Sequence, residues 1–181
     1  MAIAVILPKI CEVKLIYMYT IREMEMRKMT VRIAKLSDIE VIYDLICDME
    51  NTKLDYEKFQ EAFKKYLEDD RYFCLVAEHS GTVIGCLNLR IEYQLHHTAK
   101  IAEILELAVM DKYRSKGVGK KLFEKASEIA KDNECLQIEV CCNQLRSRAH
   151  NFYEKQGMHN FHYKFSLNFE EEEIKENRLG L

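Results

Sequence analysis

The chain has 181 residues, of which 48% are hydrophobic and 31% are charged, with six glycines and one proline. This length favours a single domain, and a chain of this size can form a core without disulfides or a structural metal. The composition excludes disordered and collagen-like proteins. The net charge of -3 gives no reason to expect nucleic acid as a partner.

The chain has seven cysteines, which is an odd number, and none of them forms a C-x-x-C pair. This pattern predicts reduced thiols in the core of a cytoplasmic protein, without a zinc site. No apolar run approaches the roughly 20 residues that span a bilayer, so we predict no membrane segment. We divide the chain into an N-terminal extension at 1–28, a domain at 29–170 and a charged tail at 171–181, and we expect the extension to be dispensable for the chemistry.

Strand and helix patterns alternate along the domain. Short apolar or alternating runs predict strands at 30–35, 72–78, 83–93, 101–110, 136–142 and 161–169. Apolar residues spaced by three and four predict helices at 38–49, 55–67, 117–130 and 146–156. Ser37 is the expected N-cap of the first helix, and Gly157 is expected just beyond the last.

The connections between these elements indicate the topology. A four-residue turn at 79–82 makes the second and third strands antiparallel. The strands at 101–110 and 136–142 are mostly apolar and flank a helix, so we expect a right-handed parallel crossover between buried strands. The sequence therefore predicts an α/β fold with a central mixed β-sheet flanked by helices.

A basic loop with two glycines, at 114–119, joins the strand at 101–110 to the next helix. Gly117 and Gly119 leave backbone N–H groups uncovered at the helix N-terminus, where the helix dipole favours an anion. Positive charge is added around the same point by Arg114, Lys116, Lys120 and Lys121. A diphosphate fits such a loop, although a plain strand–helix turn with a solvated basic face explains the same residues.

Two other phosphate-binding loops are excluded by the spacing of the glycines. A Walker A sequence has four residues between its glycines and a Ser or Thr after the Lys, which this loop lacks. A dinucleotide fingerprint needs a third glycine, and Leu122 stands in its place.

Two longer segments extend the pattern beyond the loop. Residues 106–119 read ELAVMDKYRSKGVG, and residues 148–158 read RAHNFYEKQGM. Together they resemble the two signatures of the GNAT superfamily of N-acetyltransferases, and the resemblance covers residues 30–169. It implies an acetyl-coenzyme A-dependent N-acetyltransferase, in which the strands at 101–110 and 136–142 splay apart to form a V-shaped cofactor slot.

The resemblance also implies roles for individual positions. The loop amides would hold the coenzyme A pyrophosphate, and residues 107–109 would pair with the pantetheine arm like an added strand. A backbone N–H at 107 or 109 would stabilise the oxyanion of the tetrahedral intermediate. The cofactor-binding residues implied in this way are Leu107, Ala108, Val109, Arg114, Ser115, Lys116, Gly117, Val118, Gly119, Lys120 and Asn143.

The resemblance to the GNAT superfamily also implies candidates for the catalytic acid and base. Tyr153 matches the family tyrosine that protonates the departing thiolate, although a core tyrosine on the last helix also explains it. Glu103 and Glu106 are candidates for the base that takes a proton from the amine. Strict alternation places them on opposite faces of the strand, because they are three positions apart. Glu103 matches the position of the base in some family members, whereas Glu106 would contact substrate or brace the sheet. A structural role as a paired carboxylate also explains each of them.

The acceptor is indicated by His96 and His97, which precede the central strand. The sequence from these histidines through Glu103 and Glu106 resembles bacterial aminoalkylphosphonate N-acetyltransferases, whose small acceptors carry both an amine and an anionic group. The histidines would then bind substrate, although two surface loop histidines fit the same sequence. Candidate cations for the anionic group are Arg90, Arg146 and Arg148.

Two other functions stay open at this point. A protein or peptide N-acetyltransferase of the same fold would need an open acceptor groove. A non-catalytic acyl-CoA-binding module would use the loop without the chemistry, and Tyr153 with the strand carboxylates argues against it. Members of the superfamily are often homodimers, so by analogy we also consider a homodimer.

Overall fold

Five strands and four helices are present in residues 28–167 and 169, the part of the chain that the computed structural model describes. The strands are β1 (Met29–Ile33), β2 (Tyr72–His79), β3 (Thr82–Gln94), β4 (Ala99–Val109) and β5 (Gln137–Val140). The helices are α1 (Ile39–Glu50), α2 (Tyr56–Glu68), α3 (Val118–Asp132) and α4 (Ser147–Lys155). The chain divides into two compact units, of which the first ends at Glu139 and the second begins at Val140.

The strands form one mixed sheet in the order β1-β2-β3-β4-β5, which confirms the predicted fold class. Neighbouring strands from β1 to β4 pair antiparallel. The crossover helix α3 then leads to β5, which lies beside β4, and Leu136 N donates to Lys100 O at 2.9 Å near the start of both strands. In the described part of the chain no helix has both the length and the apolar character that crossing a bilayer requires.

Helices cover both faces of the sheet in the first unit. On one face, α1 and α2 enclose a core that includes Ile42, Phe63, Val76 and Cys86. On the other face, α3 packs against β3 at Gly85. A Cβ added to Gly85 would lie 3.0 Å from Ala108 O, 3.1 Å from Val118 Cγ1 and 3.3 Å from Leu122 Cδ1. The missing side chain therefore lets the first turn of α3 lie directly on the sheet.

The predicted cap of the first helix is wrong. The capping residue of α1 is Asp38 rather than Ser37, and α1 follows a short 3₁₀ turn at Leu36–Asp38. The Asp38 carboxylate accepts from Lys35 N at 2.7 Å and from both terminal nitrogens of Arg32 at 2.7 and 2.9 Å. The Arg32 guanidinium holds the pKa of Asp38 below its usual range. An ion pair with Arg32 of β1, six positions earlier, therefore holds Asp38 at the start of this helix.

The predicted strand at 161–169 is also absent, since residues 161–167 have no regular secondary structure. Every second residue of this stretch is nevertheless large and apolar, and each such side chain is at least 77% exposed. The predicted burial of the cysteines holds for Cys74 and Cys86, whereas Cys141 is exposed. The predicted extension, apart from Lys28, and the predicted tail lie outside the described residues.

Candidate active site

The loop at 114–119, which we call the anion loop, follows β4 and leads into α3. Ser115 and Gly117 have left-handed backbone conformations, with φ of 60° and 95°. Turns of this kind direct successive N–H groups toward one point and form a concave anion site. The first bond within α3 runs from Lys121 N to Gly117 O at 3.1 Å. The N–H groups of the three residues before Lys121 therefore have no acceptor within the helix.

The charge of Arg114 is not directed at the N–H groups of the anion loop. Its Nε donates to Val109 O at 3.0 Å, one terminal nitrogen pairs with Asp111 at 3.0 Å, and the other pairs with Asp48 of α1. The guanidinium thus fastens the anion loop to the end of β4 and to α1. We conclude that Arg114 fixes the position of the loop, whereas the sequence predicted that it adds free positive charge.

The lysines around the loop are placed differently from one another. Lys121 Nζ donates to Met29 O at 2.9 Å and so ties α3 to β1. Lys116 Nζ lies 5.6 Å from the centroid of the Tyr113 ring, and Lys120 Nζ lies 3.6 Å from Glu124 at the surface. The first turn of α3 contains no acidic residue that would oppose an anion. Backbone amides supported by Lys116 and Lys120 therefore form the positive end of the site.

Replacing Gly117 with Ala tests the anion loop. Its left-handed conformation costs a residue with a Cβ about 1–2 kcal/mol, so we expect the loop amides to shift. If the loop holds the coenzyme A pyrophosphate that the sequence resemblance implies, the KM for acetyl-CoA should rise roughly tenfold or more, since each 1.4 kcal/mol of lost binding is tenfold. Steady-state kinetics measure this, with Gly81→Ala as the matched control, because Gly81 has φ of 79° in the β2–β3 turn with open space around it. An unchanged KM in Gly117→Ala would exclude the loop as the pyrophosphate site.

Glu103 and Glu106 project from the same face of β4, so the predicted opposite placement is wrong. Glu106 pairs with Asn88 and Glu103 pairs with Arg90, two positions that share a face of β3. The register shifts between these pairs, because Leu105 has no partner across the strand. This β-bulge adds one residue to β4 and reverses the alternation beyond it.

Glu103 is engaged in a salt bridge. Arg90 donates to Glu103 Oε2 at 2.7 Å and to Glu92 Oε1 at 3.1 Å. One guanidinium is thus shared by two carboxylates, so the group as a whole carries no excess positive charge. Arg90 is therefore a weak candidate for binding an anionic substrate.

Glu106 has a different environment from Glu103. Its Oε2 accepts from Asn88 Nδ2 at 2.9 Å. Burial raises the pKa of Glu106, the Asn88 hydrogen bond opposes that rise, and Glu50 and Glu103 add to it. The same buried surroundings, together with the charge of Glu106, raise the pKa of Tyr66 to about 12. Glu106 therefore releases its proton at a higher pH than an ordinary glutamate, as a general base working near neutral pH requires.

Asn88 is a site residue that the sequence analysis missed. It is only 6% exposed, and an amide costs free energy in an apolar strand unless it is hydrogen-bonded. An isolated asparagine in the apolar run at 83–91 was the signal that could have drawn attention to it. Its Oδ1 is buried without a partner, while its Nδ2 is committed to Glu106.

Two predicted site residues lie in the second unit. Tyr153 is half-buried on α4, and its ring meets that of Phe152 edge to face at 5.1 Å. Burial raises the pKa of Tyr153, Cys142 adds to the rise and Arg146 opposes it. The phenol therefore stays protonated at neutral pH, as a general acid must. Asn143 uses its Oδ1 to accept from Leu145 N at 2.9 Å in the turn before α4.

The histidines lie in the turn between β3 and β4. Their ring centroids are 4.1 Å apart, and His97 Nε2 is 3.6 Å from Glu139 Oε1. Seven strand positions separate Ala99 from Glu106, which is roughly 20 Å at the usual rise per residue. The structure therefore does not bring His96 and His97 together with Glu106. Among the described residues, no group of three His, Cys, Asp or Glu side chains is arranged to hold a metal.

Comparison with known families identifies the class of protein. Residues 39–158 match the acetyltransferase (GNAT) family, a span that includes β4, the anion loop and Tyr153. The chain belongs to this family, and it is an N-acetyltransferase.

One sequence relative supports this assignment, and two solved structures share the fold. The aminoalkylphosphonate N-acetyltransferase of Salmonella typhimurium is 32% identical over 145 residues, which are 80% of this chain and 94% of that protein. A solved transcriptional regulator from Bacillus halodurans has a TM-score of 0.72 at 23% identity, covering 78% of this chain and 99% of its own. The solved glucosamine-6-phosphate N-acetyltransferase from Arabidopsis thaliana has a TM-score of 0.65, also at 23% identity, with 78% and 99% covered. At these identities the two structures support the fold alone.

Proposed function

We propose that the protein transfers the acetyl group of acetyl-CoA to the primary amine of a small molecule. The observation that carries this proposal is the anion loop, placed at the end of the strand whose face presents the half-buried carboxylate of Glu106. The amides of residues 117–120, with Lys116 and Lys120, bind the coenzyme A diphosphate. Residues 107–109 pair with the pantetheine arm, and Asn143 supports cofactor binding, as in the proteins that the sequence resembles.

Glu106 acts as the general base. An amine is protonated at neutral pH and must lose that proton before it attacks the thioester carbonyl. Burial raises the pKa of Glu106 above that of an ordinary glutamate, and among the described residues no Arg or Lys forms an ion pair with its carboxylate. Glu103 is bound to Arg90 and instead steadies that part of the sheet.

Tyr153 acts as the general acid. Attack of the amine forms a tetrahedral intermediate, whose oxyanion is stabilised by a backbone N–H at position 107 or 109. Collapse of the intermediate breaks the C–S bond, and the Tyr153 hydroxyl donates its proton to the thiolate. The raised pKa of this phenol keeps the proton available throughout the neutral range.

An aminoalkylphosphonate is the acceptor we favour. The aminoalkylphosphonate N-acetyltransferase of Salmonella typhimurium aligns with most of this chain, and the acidic face around Glu106 suits an ammonium group. Because Arg90 is neutralised by two carboxylates, the phosphonate needs other cations, for which Arg146 and Arg148 stay candidates. His96 and His97 stay candidates for the far end of a longer acceptor.

A panel of amines tests the acceptor. Release of coenzyme A is measured with aminoalkylphosphonates, glucosamine 6-phosphate, polyamines, amino acids and peptides. We expect kcat/KM for an aminoalkylphosphonate to exceed the others by about tenfold or more, the effect of a single 1.4 kcal/mol contact in the transition state. A higher kcat/KM with peptides would replace the small-molecule proposal. Binding of acetyl-CoA without release by any amine would make the chain a binding module.

A further inference from the structure

Asn88 occupies a position where a polar side chain costs folding free energy. It lies in the middle of β3, which is otherwise apolar from 83 to 89, and it is buried. Its Oδ1 is enclosed and finds no hydrogen-bond donor among the described residues. A leucine of similar size would avoid the cost of burying this amide. A residue that breaks the local pattern in this way is typical of a functional site.

The Asn88 side chain forms one hydrogen bond among the described residues, and that bond goes to Glu106. Its Nδ2 donates to Oε2 of the carboxylate at 2.9 Å. The two residues lie opposite each other on β3 and β4, so the pairing of the strands fixes this contact. The other carboxylate oxygen, Oε1, accepts from no donor in the described part of the chain, and it is not enclosed as Oδ1 of Asn88 is. One oxygen of Glu106 is therefore held, and the other is left open.

This arrangement determines which oxygen of Glu106 takes a proton. A proton on Oε2 would face the N–H of Asn88, so two donors would oppose each other. A proton on Oε1 leaves Oε2 able to accept from Nδ2 as before. The hydrogen bond is thus kept in both protonation states, and the carboxyl group need not reorient when it is protonated.

We propose that Asn88 is a positioning residue for acetyl transfer, which holds Oε2 of Glu106 and leaves Oε1 as the atom that takes the proton of the acceptor amine. The inference rests on the proposed role of Glu106 as the general base. In this step an N–H bond of the ammonium group breaks and its proton goes to Oε1. The electron pair of that bond stays on nitrogen as the lone pair that attacks the thioester.

Asn88→Leu tests the proposal on the full-length chain, because leucine has a similar shape and lacks the amide. The lost hydrogen bond favours the ionised form of Glu106, so its pKa should rise. The midpoint of its titration should move to higher pH by about one unit or more, as expected when a charged group loses a hydrogen bond. The carbon NMR signal of the Glu106 carboxyl, assigned by its absence in Glu106→Gln, measures this midpoint without any substrate.

The kinetics of Asn88→Leu should change in parallel with the titration. The acid limb of kcat/KM should move to higher pH together with the NMR midpoint. Above that limb kcat should still be lower by roughly 10- to 100-fold, because the carboxylate is no longer held in one orientation. The KM for acetyl-CoA should stay unchanged, since Asn88 lies outside the anion loop.

A second variant, Asn88→Asp, keeps the size and the polarity of the side chain. Two carboxyl groups would then face each other across the strands, and such a pair resists the ionisation of both members. We expect the pair to titrate in two steps, the upper of which lies further above the wild-type midpoint than the midpoint in Asn88→Leu does. This variant keeps the proposal testable if the leucine variant does not fold.

Cys74→Ala is the matched control. Cys74 lies opposite Asn88 on β2 and is also buried, but no described hydrogen bond joins it to Glu106. The substitution therefore disturbs the packing beside Asn88 without touching the carboxylate. Neither the midpoint nor the acid limb should move.

The other ionisable groups around Glu106 do not account for the expected change. Burial raises the pKa of Tyr66, Cys74 and Cys86 to about 12, so these groups are uncharged where a carboxyl group titrates. The remaining charged groups are the same in the wild type and in every variant at position 88. They are Glu50 of α1, Glu103 of β4, and Arg90 of β3, which binds Glu103.

Three results would overturn the proposal, and they separate it from the proposed function. An unchanged Glu106 midpoint in Asn88→Leu would do so even if the enzyme acetylates amines. An equal shift in Cys74→Ala would make Asn88 a packing residue. A midpoint that moves while the acid limb of kcat/KM stays in place would mean that another group takes the proton. That last result would overturn the role of Glu106 as base and, with it, the role of Asn88.

Discussion

Tyr153→Phe should lower kcat by roughly 10²–10⁴-fold, the usual contribution of a positioned general acid. The KM for acetyl-CoA should stay unchanged, because the ring and its packing against Phe152 are kept and only the hydroxyl is removed. Coenzyme A release under saturating acetyl-CoA measures the effect. Because burial raises the pKa of Tyr153, the wild-type rate should not decline through the pH range where an exposed tyrosine ionises, near 10.

Tyr43→Phe is the control for this substitution. The Tyr43 hydroxyl donates to Leu54 O at 2.7 Å and has a structural role. Its loss should cost about 1 kcal/mol of folding free energy and leave kcat unaltered. If Tyr153→Phe retained the wild-type kcat, the thiolate would be protonated by another group and the acid assignment would be wrong.

Glu106→Gln should lower kcat/KM by roughly 10²–10⁴-fold and abolish its decline toward acidic pH. In the wild type this acid limb reports protonation of the base. Burial raises the pKa of Glu106, so the limb should lie above the ordinary glutamate value of 4.5. The matched variant Glu103→Gln removes the other carboxylate of the same face and leaves Arg90 with Glu92. Glu103→Gln should keep the acid limb of the pH profile. If the acid limb disappeared in Glu103→Gln and not in Glu106→Gln, Glu103 would be the base.

Glu106→Gln should also change the folding stability in a pH-dependent way. A carboxyl group whose pKa is raised on folding binds protons more readily in the folded state, so stability falls as pH rises through the folded pKa. Glu106→Gln has no carboxyl group to ionise at this position, so this loss of folding stability disappears. Its Tm should exceed that of the wild type at neutral pH, and the difference should shrink below the pKa of an unfolded glutamate. A lower Tm at neutral pH would indicate that the Asn88–Glu106 hydrogen bond outweighs the burial of the charge.

Much of the fold could be predicted because the sequence patterns that indicate it are local. The turn at 79–82, the apolar run of β4 and the spacing of Gly117 and Gly119 each reflect interactions between residues close in sequence. The helix that follows the anion loop begins at Val118, one residue from the predicted start. Elements that depend on pairing with a neighbouring element were less predictable. The start of α1 depends on Arg32, and β5 is shorter than the predicted 136–142.

The candidate site was predicted in composition but not in arrangement. The sequence pointed to Glu103, Glu106, Arg114 and Tyr153. It could not place the first two on one face, because a β-bulge depends on how β4 aligns with β3. Nor could it show that Arg114 binds Asp48, a residue 66 positions away. Asn88 was missed because its importance comes from its partner across the sheet.

By itself the sequence determined a mixed α/β sheet and the family to which the chain belongs, and it predicted an anion-binding turn after the central strand. These follow from short-range patterns, in which side-chain periodicity and glycine conformations act within a few residues. Only the tertiary structure decided which carboxylate is half-buried without an ion-pair partner and which arginine is already neutralised. Each of these depends on strand register and on contacts between distant segments, where burial and pairing decide the free energy of a charge or a strand.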